Sequence, residues 1–135
     1  MADTMIFVNL PVRDLPASQA FWTELGYSFN PQFTDENAAC LIISDTIYAM
    51  LLTTDFFRTF TSKDVVDATR ATEVLLALSA DSRQAVDALV DRAVAAGGTE
   101  AGAPMDHGFM YQRSFDDPDG HRWEIIWMDP AHVQH

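Results

Sequence analysis

The chain of 135 residues contains little cysteine and little positive charge, and each shortage excludes a class of protein. Cys40 is the single cysteine, so no internal disulfide can form, and we expect a reducing, cytoplasmic location. Lys and Arg total 8 against 20 Asp and Glu, which gives a formal net charge of −12. Such an acidic chain disfavours nucleic acid and anionic membranes as partners and favours cationic ones.

The chain also lacks the motifs of several other classes. No apolar run approaches the ~20 residues of a membrane span. The first ten residues, MADTMIFVNL, contain no basic segment of the kind that begins a secretory signal. There is no glycine-rich phosphate loop and no G-x-S-x-G nucleophile motif. Apolar residues, by contrast, make up 48% of the chain, enough for the core of one domain.

Residues 6–53, here called module one, predict a β-α-β-β-β order. The segment 6–12, IFVNLPV, alternates with the period of a strand. Asp14 predicts a helix N-cap, Pro16 is tolerated in the first turn, and Gly26 ends the helix. Three segments rich in β-branched and aromatic residues follow as strands: YSFNPQF, AACLIIS and TIYAMLLT.

The same order returns in residues 72–128, here called module two, after a polar connector at 54–71 that predicts a short helix. A strand is predicted at 73–79 and a helix capped by Asp81 follows it. Three further strand candidates are TEAGAPM, MYQRSFD and RWEIIWM. The sequence therefore predicts a single α+β domain, 1–135, of two tandem β-α-β-β-β modules followed by a tail at 129–135.

The repeat suggests which residues of the two modules are equivalent. Val8 matches Val74 at an offset of 66 residues, and the two predicted caps match at an offset of 67. This alignment makes Phe7 equivalent to Glu73. Neither module could bury both faces of its sheet alone, so we expect the two to pack as a pair.

Two segments resemble the vicinal-oxygen-chelate superfamily, which includes glyoxalase I, bleomycin-resistance proteins and extradiol dioxygenases. The segment VNLPVRDLPASQAFWTELGY is similar to the opening strand, cap and helix of the family, and FDDPDGHRWEII is similar to its closing turn and strand. Within the superfamily the chain resembles the small proteins called predicted lactoylglutathione lyases. The resemblance implies curled mixed sheets that form an open cavity.

The resemblance also implies where a metal ion would bind. The last-strand glutamate of the family, usually a metal ligand, corresponds to Glu124. The other ligand positions correspond to Phe7, to Glu73, and to Ala49 or its neighbour Met50. Two carboxylates without an imidazole make a poor site for zinc or nickel, and they would hold Mg²⁺ or Mn²⁺ weakly. We therefore expect no tightly bound metal.

Without a metal, Glu73 and Glu124 would face each other across the cavity as a general acid and base. The alternative is that either carboxylate is salt-bridged or solvated, and Arg122 lies two residues from Glu124 on the same strand face. Further ligand contacts are predicted at Phe7, Asn9, His107, Tyr111 and Arg113. His107 could equally be an exposed loop residue, and the sequence does not decide which face of residues 110–115 lines the cavity.

Three functions are compatible with these residues, and the least favoured is a dimer-forming interaction protein that binds no small ligand. The first is a glyoxalase-type lyase or isomerase that acts on a small metabolite, with Glu124 as acid or base. The second is a metal-free protein that sequesters a cationic or aromatic ligand, as bleomycin-resistance proteins do. In each case we expect a homodimer, because the exposed faces of open sheets are commonly buried against a second copy.

Overall fold

A computed structural model describes residues 3–132, so the first two residues and residues 133–135 of the predicted tail lie outside the described part. The chain divides between Val66 and Asp67 into two compact units, and each unit contains one module. The secondary structure is mixed α+β, as predicted. No helix within residues 3–132 is long and apolar enough to cross a bilayer.

Module one folds in the predicted order. Its elements are β1 (Ile6–Val12), α1 (Leu15–Glu24), β2 (Ser28–Asn30), β3 (Ala38–Ile42) and β4 (Ile47–Thr53). The sheet has the order β1-β4-β3-β2, in which β1 and β4 run parallel and the other pairs antiparallel. The Asp14 cap is confirmed, because its carboxylate accepts a hydrogen bond of 3.0 Å from the backbone N–H of Ala17.

The core of module one lies between its sheet and α1, which packs against β3 and β4. Alternate strand residues on this side are almost fully buried: Leu10, Val12, Ala39, Leu41, Ala49 and Leu51. Because strand residues alternate between the two faces, Phe7, Asn9 and Met50 lie on the opposite face. In the connector, the predicted short helix is present as α2 (Thr54–Phe57), and one 3₁₀ turn (Arg58–Phe60) follows it.

Module two repeats the arrangement with one strand divided in two. Its elements are β5 (Leu76–Ser79), α3 (Arg83–Ala95), β6 (Thr99–Glu100), β7 (Met105–Asp106), β8 (Met110–Asp116) and β9 (Arg122–Met128). The sheet order is β5-β9-β8-β6, and β7 also pairs with β8. As in module one, the first strand lies parallel to the last. The predicted strand TEAGAPM is interrupted at Gly102, which adopts a positive φ of 70° between β6 and β7.

The start of module two differs from the prediction in two ways. Ser82, and not Asp81, caps α3, since its hydroxyl accepts a hydrogen bond of 3.0 Å from the backbone N–H of Ala85. The strand predicted from residue 73 begins only at Leu76, where pairing with β9 begins. Glu73 therefore lies in an exposed bend before the strand.

The strand pairing also corrects the alignment of the two modules. The buried pair Leu10 and Leu51 of module one corresponds to Leu78 and Ile125 of module two. The spacing from Leu10 to Leu78 is 68 residues, the same as between the two observed helix caps. The earlier offset of 66 was therefore wrong by two residues. It followed the apolar run before β5, which does not pair with β9.

The corrected alignment changes two equivalences. Phe7 corresponds to Leu75, so its predicted equivalence to Glu73 is wrong. Glu124 corresponds to Met50, so the choice of Ala49 is wrong and the neighbouring residue is right. The physical reason is the alternation of strand faces, because Ala49 points into the core beneath α1 whereas Glu124 points away from α3.

Candidate functional site

Glu124 lies in the middle of β9 on the sheet face opposite α3. Its neighbours Trp123 and Ile125 are 1% and 0% exposed and pack in the core, whereas Glu124 is half-buried. Its cross-strand partners are Ala77 on β5 and Ser114 on β8, both with small side chains. The carboxylate therefore lies between two small cross-strand neighbours, on a strand whose other residues, apart from Arg122, are apolar.

The side chains that share this side of the sheet are here called the Glu124 face, and strand register defines them. They are Ala77, Ser79, Thr99, Met105, Met110, Gln112, Ser114, Asp116, Arg122, Glu124, Ile126 and Met128. Glu73 does not belong to this set. It precedes by four residues the β5 residue that pairs with Glu124, so it is not a cross-strand neighbour of that carboxylate.

Gln112 holds the Glu124 carboxylate. Its side-chain amide donates a hydrogen bond of 3.1 Å from Nε2 to Oε2 of Glu124. Within residues 3–132, Gln112 is the one side chain that donates a hydrogen bond to the Glu124 carboxylate. A neutral donor orients a carboxylate without cancelling its charge, so Glu124 keeps its capacity to pair with a cation.

Arg122 is the cation on the Glu124 face, and it pairs with Asp116. The two residues are directly opposite each other in the β8–β9 ladder, and the guanidinium bonds to both carboxylate oxygens through Nε and Nη2. This pairing raises the pKa of Arg122, with a smaller contribution from the nearby charge of Glu124. The alternative in which Arg122 neutralises Glu124 is therefore not the observed arrangement.

Tyr111 and Arg113 lie on the other face of the sheet, against α3. The Tyr111 hydroxyl donates to Asp87 at 2.7 Å, and this bond, with a further one from Arg113, lowers the pKa of Asp87. Arg113 itself contacts three carboxylates at 2.9 to 3.0 Å, those of Asp87, Asp91 and Glu100. These two predicted ligand contacts instead attach the helix to the sheet, and Gln112 is the neighbour that faces Glu124.

Arg83, which sequence reasoning did not single out, completes the attachment of α3. Its guanidinium lies 5.2 Å from the ring centroid of Tyr111 and 5.1 Å from that of Trp127. It also pairs with Asp106 at 2.8 Å, and this contact, with a backbone hydrogen bond from Gly108, lowers the pKa of Asp106 to about 2. The local sequence of α3 could not reveal the role of Arg83, because its partners Asp106, Tyr111 and Trp127 lie more than twenty residues away along the chain.

The Asp-Pro-Asp-Gly turn sets the register of β9 and so the position of Glu124. Asp117 is buried, and its carboxylate accepts hydrogen bonds from the backbone of Asp119 and His121 and from the indole N–H of Trp123, each at 3.0 Å. Burial raises the pKa of Asp117 despite these bonds. Glycine is required at position 120 for two reasons. Its φ of +89° is unfavourable for residues with a side chain, and a Cβ would lie 2.7 Å from the backbone nitrogen of Thr69.

The remaining predicted contacts lie elsewhere. His107 is exposed in the turn between β7 and β8, at the opposite end of β8 from Asp116. In module one, Phe7 is 45% exposed and stacks on Tyr48 with ring centroids 4.9 Å apart. Asn9 lies on the same strand face and donates to the Phe7 carbonyl at 3.4 Å.

The residues at the positions where the resemblance implied metal ligands do not fit a metal ion. After correction of the alignment these positions hold Phe7, Met50, Leu75 and Glu124. Three of the four side chains carry no nitrogen or oxygen donor, and one carboxylate does not hold a divalent ion tightly. Across residues 3–132, no three His, Cys, Asp or Glu side chains converge in a way that could hold a metal.

Comparison with known proteins agrees with this fold. Residues 4–44 match the family described as bleomycin resistance protein-like N-terminal. A hypothetical protein of S. aureus superposes with a TM-score of 0.78 at 27% identity, over 94% of each chain. A glyoxalase-related enzyme of Fulvimarina pelagi superposes with a TM-score of 0.77 at 23% identity, over 93% of this chain and 88% of the other.

A glyoxalase/bleomycin resistance protein/dioxygenase family enzyme of Burkholderia phytofirmans gives a TM-score of 0.75 at 22% identity, over 93% of this chain and 99% of the other. Comparison with proteins of curated function gives no significant match. Residues 4–44 are thus similar to the N-terminal part of bleomycin-resistance proteins, and the chain shares the fold of glyoxalase-like proteins.

Proposed function

We propose that the protein binds a small, positively charged organic molecule without a metal ion, and that Glu124 is the anionic contact. The observation that carries this proposal is the environment of Glu124. Its carboxylate is oriented by the neutral amide of Gln112, while Arg122 is paired with Asp116. Within residues 3–132 Glu124 forms no salt bridge, and a carboxylate in such a setting favours a cationic ligand.

The neighbouring side chains suit the apolar part of such a ligand. Ile126 and Met110 share the Glu124 face and are half-buried, and Met105 and Met128 extend the apolar surface. Methionine side chains adapt to irregular ligand shapes. The net charge of −12 would also attract cations before contact.

Metal-dependent glyoxalase chemistry is less well supported by the same residues. Phe7, Met50 and Leu75 cannot supply the missing ligands, and Glu73 lies outside the strand that borders Glu124. The position of Glu73 before β5 therefore gives the expected acid and base pair less support than it gives a binding role for Glu124 alone. Ligand capture without turnover requires neither a metal ion nor an acid and base pair.

Calorimetric titration with metal-free bleomycin, in buffer containing EDTA, tests the proposal. We expect saturable binding by the natural sequence and at least tenfold weaker binding by Glu124→Gln, since that change removes the charge and keeps the side-chain volume. Glu36→Gln is the matched control, because Glu36 is exposed in the loop before β3. Equal affinities for all three proteins would contradict the role of Glu124.

A second candidate is a lyase or isomerase in which Glu124 is the general base. One observation favours it: a carboxylate oriented by a neutral amide on a half-open face remains able to accept a proton. Formation of lactoylglutathione from methylglyoxal and glutathione, with and without added Mg²⁺ or Mn²⁺, tests it. Turnover that is lost in Glu124→Gln and retained in Glu36→Gln would favour this candidate over simple capture.

A further inference from the structure

Two carboxylates on the Glu124 face compete for one arginine. Arg122 lies directly opposite Asp116 across the β8–β9 ladder, and it lies two residues before Glu124 on the same strand. Side chains at positions i and i+2 of a strand are about 7 Å apart, a distance that a guanidinium on a flexible stem can cross. The arginine could therefore reach either acid.

The observed pairing is with Asp116. Nε and Nη2 of Arg122 bond to its two oxygens, whereas Glu124 influences the arginine through space and without a hydrogen bond. Glu124 instead accepts from Gln112 at 3.1 Å. Of the residues that share this face on β5, β8 and β9, the titratable ones are Asp116, Arg122 and Glu124.

We propose that Asp116 is a specificity-determining residue, which holds Arg122 away from Glu124 and so reserves the Glu124 carboxylate for a cationic ligand. Gln112 is the positioning residue that aims the carboxylate once the arginine is occupied. This inference rests on the proposed function, because it explains how a strand that carries an arginine can still present a negative charge.

The ligand class follows from the geometry. With Oε2 bonded to Gln112, the carboxylate retains acceptor capacity on Oε1 and on the second lone pair of Oε2. A planar amidinium or guanidinium group offers two parallel N–H donors and matches a carboxylate better than a spherical ammonium does. An aromatic amidine would place its ring against the methionines and Ile126 of the Glu124 face.

Benzamidine is the probe for the binding test, measured by calorimetry at low salt. We expect Asp116→Asn to weaken binding about fivefold, because the released arginine then pairs with Glu124. The double variant Asp116→Asn/Arg122→Gln restores the affinity of the natural sequence, since it has no arginine to redirect and leaves the net charge of the face unchanged. Affinity that stays low in the double variant, or does not fall in Asp116→Asn, would overturn the proposal.

A second measurement tests the charge arrangement without any ligand. The side-chain amide of Gln112 and the Nε–H of Arg122 are both observable by ¹H–¹⁵N NMR. We expect both signals to move in Asp116→Asn, and the Gln112 signals to return in the double variant. If these shifts occur and benzamidine does not bind, the arrangement holds and the proposed function fails. If Gln112 does not respond to Asp116→Asn, the inference itself is wrong.

Discussion

Replacement of Arg113 by methionine tests how α3 is held on its sheet. The Arg113 side chain is 11% exposed and contacts Asp87, Asp91 and Glu100, whose side chains are 47%, 68% and 36% exposed. Breaking a fully buried ion pair costs about 3–5 kcal/mol, but these carboxylates regain water when the arginine is lost. We therefore expect a loss of about 2 kcal/mol in the free energy of unfolding.

Urea denaturation followed by circular dichroism measures this loss. The matched control is Arg92→Met, because Arg92 is an exposed residue of the last turn of α3 and should change stability by less than ~0.5 kcal/mol. The pH dependence gives a second readout. Hydrogen bonds from Tyr111 and Arg113 lower the pKa of Asp87, and a hydrogen bond from Arg113 lowers the pKa of Glu100. The stability that these two carboxylates contribute is therefore fully present above their pKa values in the unfolded chain. It is lost as the pH falls through their pKa values in the folded protein.

Arg113→Met should accordingly be most destabilising near neutral pH, and its deficit should shrink in acid. A variant within ~0.5 kcal/mol of the natural sequence at pH 7 would refute the argument that this arginine attaches the helix. A deficit that is the same at pH 7 and pH 2.5 would show that the loss arises from packing of the arginine stem and not from its charge.

Three further outcomes are expected. Asp106→Asn should lower the urea midpoint at pH 7 and have little effect near pH 2, because the pKa of Asp106 is lowered to about 2 and its pairing is lost as the pH falls toward that value. Gly120→Ala should lower the free energy of unfolding in urea by about 2 kcal/mol or more, because of the positive φ and the clash with Thr69. Gly102→Ala should lower it by about half as much, because a Cβ there would have no atom within 4 Å and only the positive φ opposes it. Light scattering at micromolar concentration should give the mass of a homodimer; a stable monomer would contradict that expectation.

The order of elements could be predicted from the sequence because it depends on local patterns. Alternation in IFVNLPV, the capping carboxylate of Asp14 and the glycine after α1 each act over a few residues. The structure contains all three. The start of β5 could not be predicted in the same way. Residues 73–75 have the composition of a strand, but a strand exists only where a neighbour pairs with it, and pairing begins at Leu76.

The candidate site was predicted only in part, for a related reason. Glu124 was identified from the motif around it, and its orientation followed from the alternation of Trp123 and Ile125. The face of β8 could not be deduced, because a shift of one residue exchanges Gln112 for Tyr111 and Arg113. The pairing of Arg122 with Asp116 depends on the register of two strands, which the sequence does not specify.

Metal content and ligand affinity, measured on the same sample, test the central claim most directly. The protein is purified without chelator, its metals are determined by elemental analysis, and bleomycin binding is then titrated before and after treatment with EDTA. The account predicts far less than one equivalent of zinc or nickel, an affinity that EDTA does not change, and a loss of binding in Glu124→Gln. Near-stoichiometric zinc or nickel that disappears in Glu124→Gln would contradict it and would make Glu124 a metal ligand.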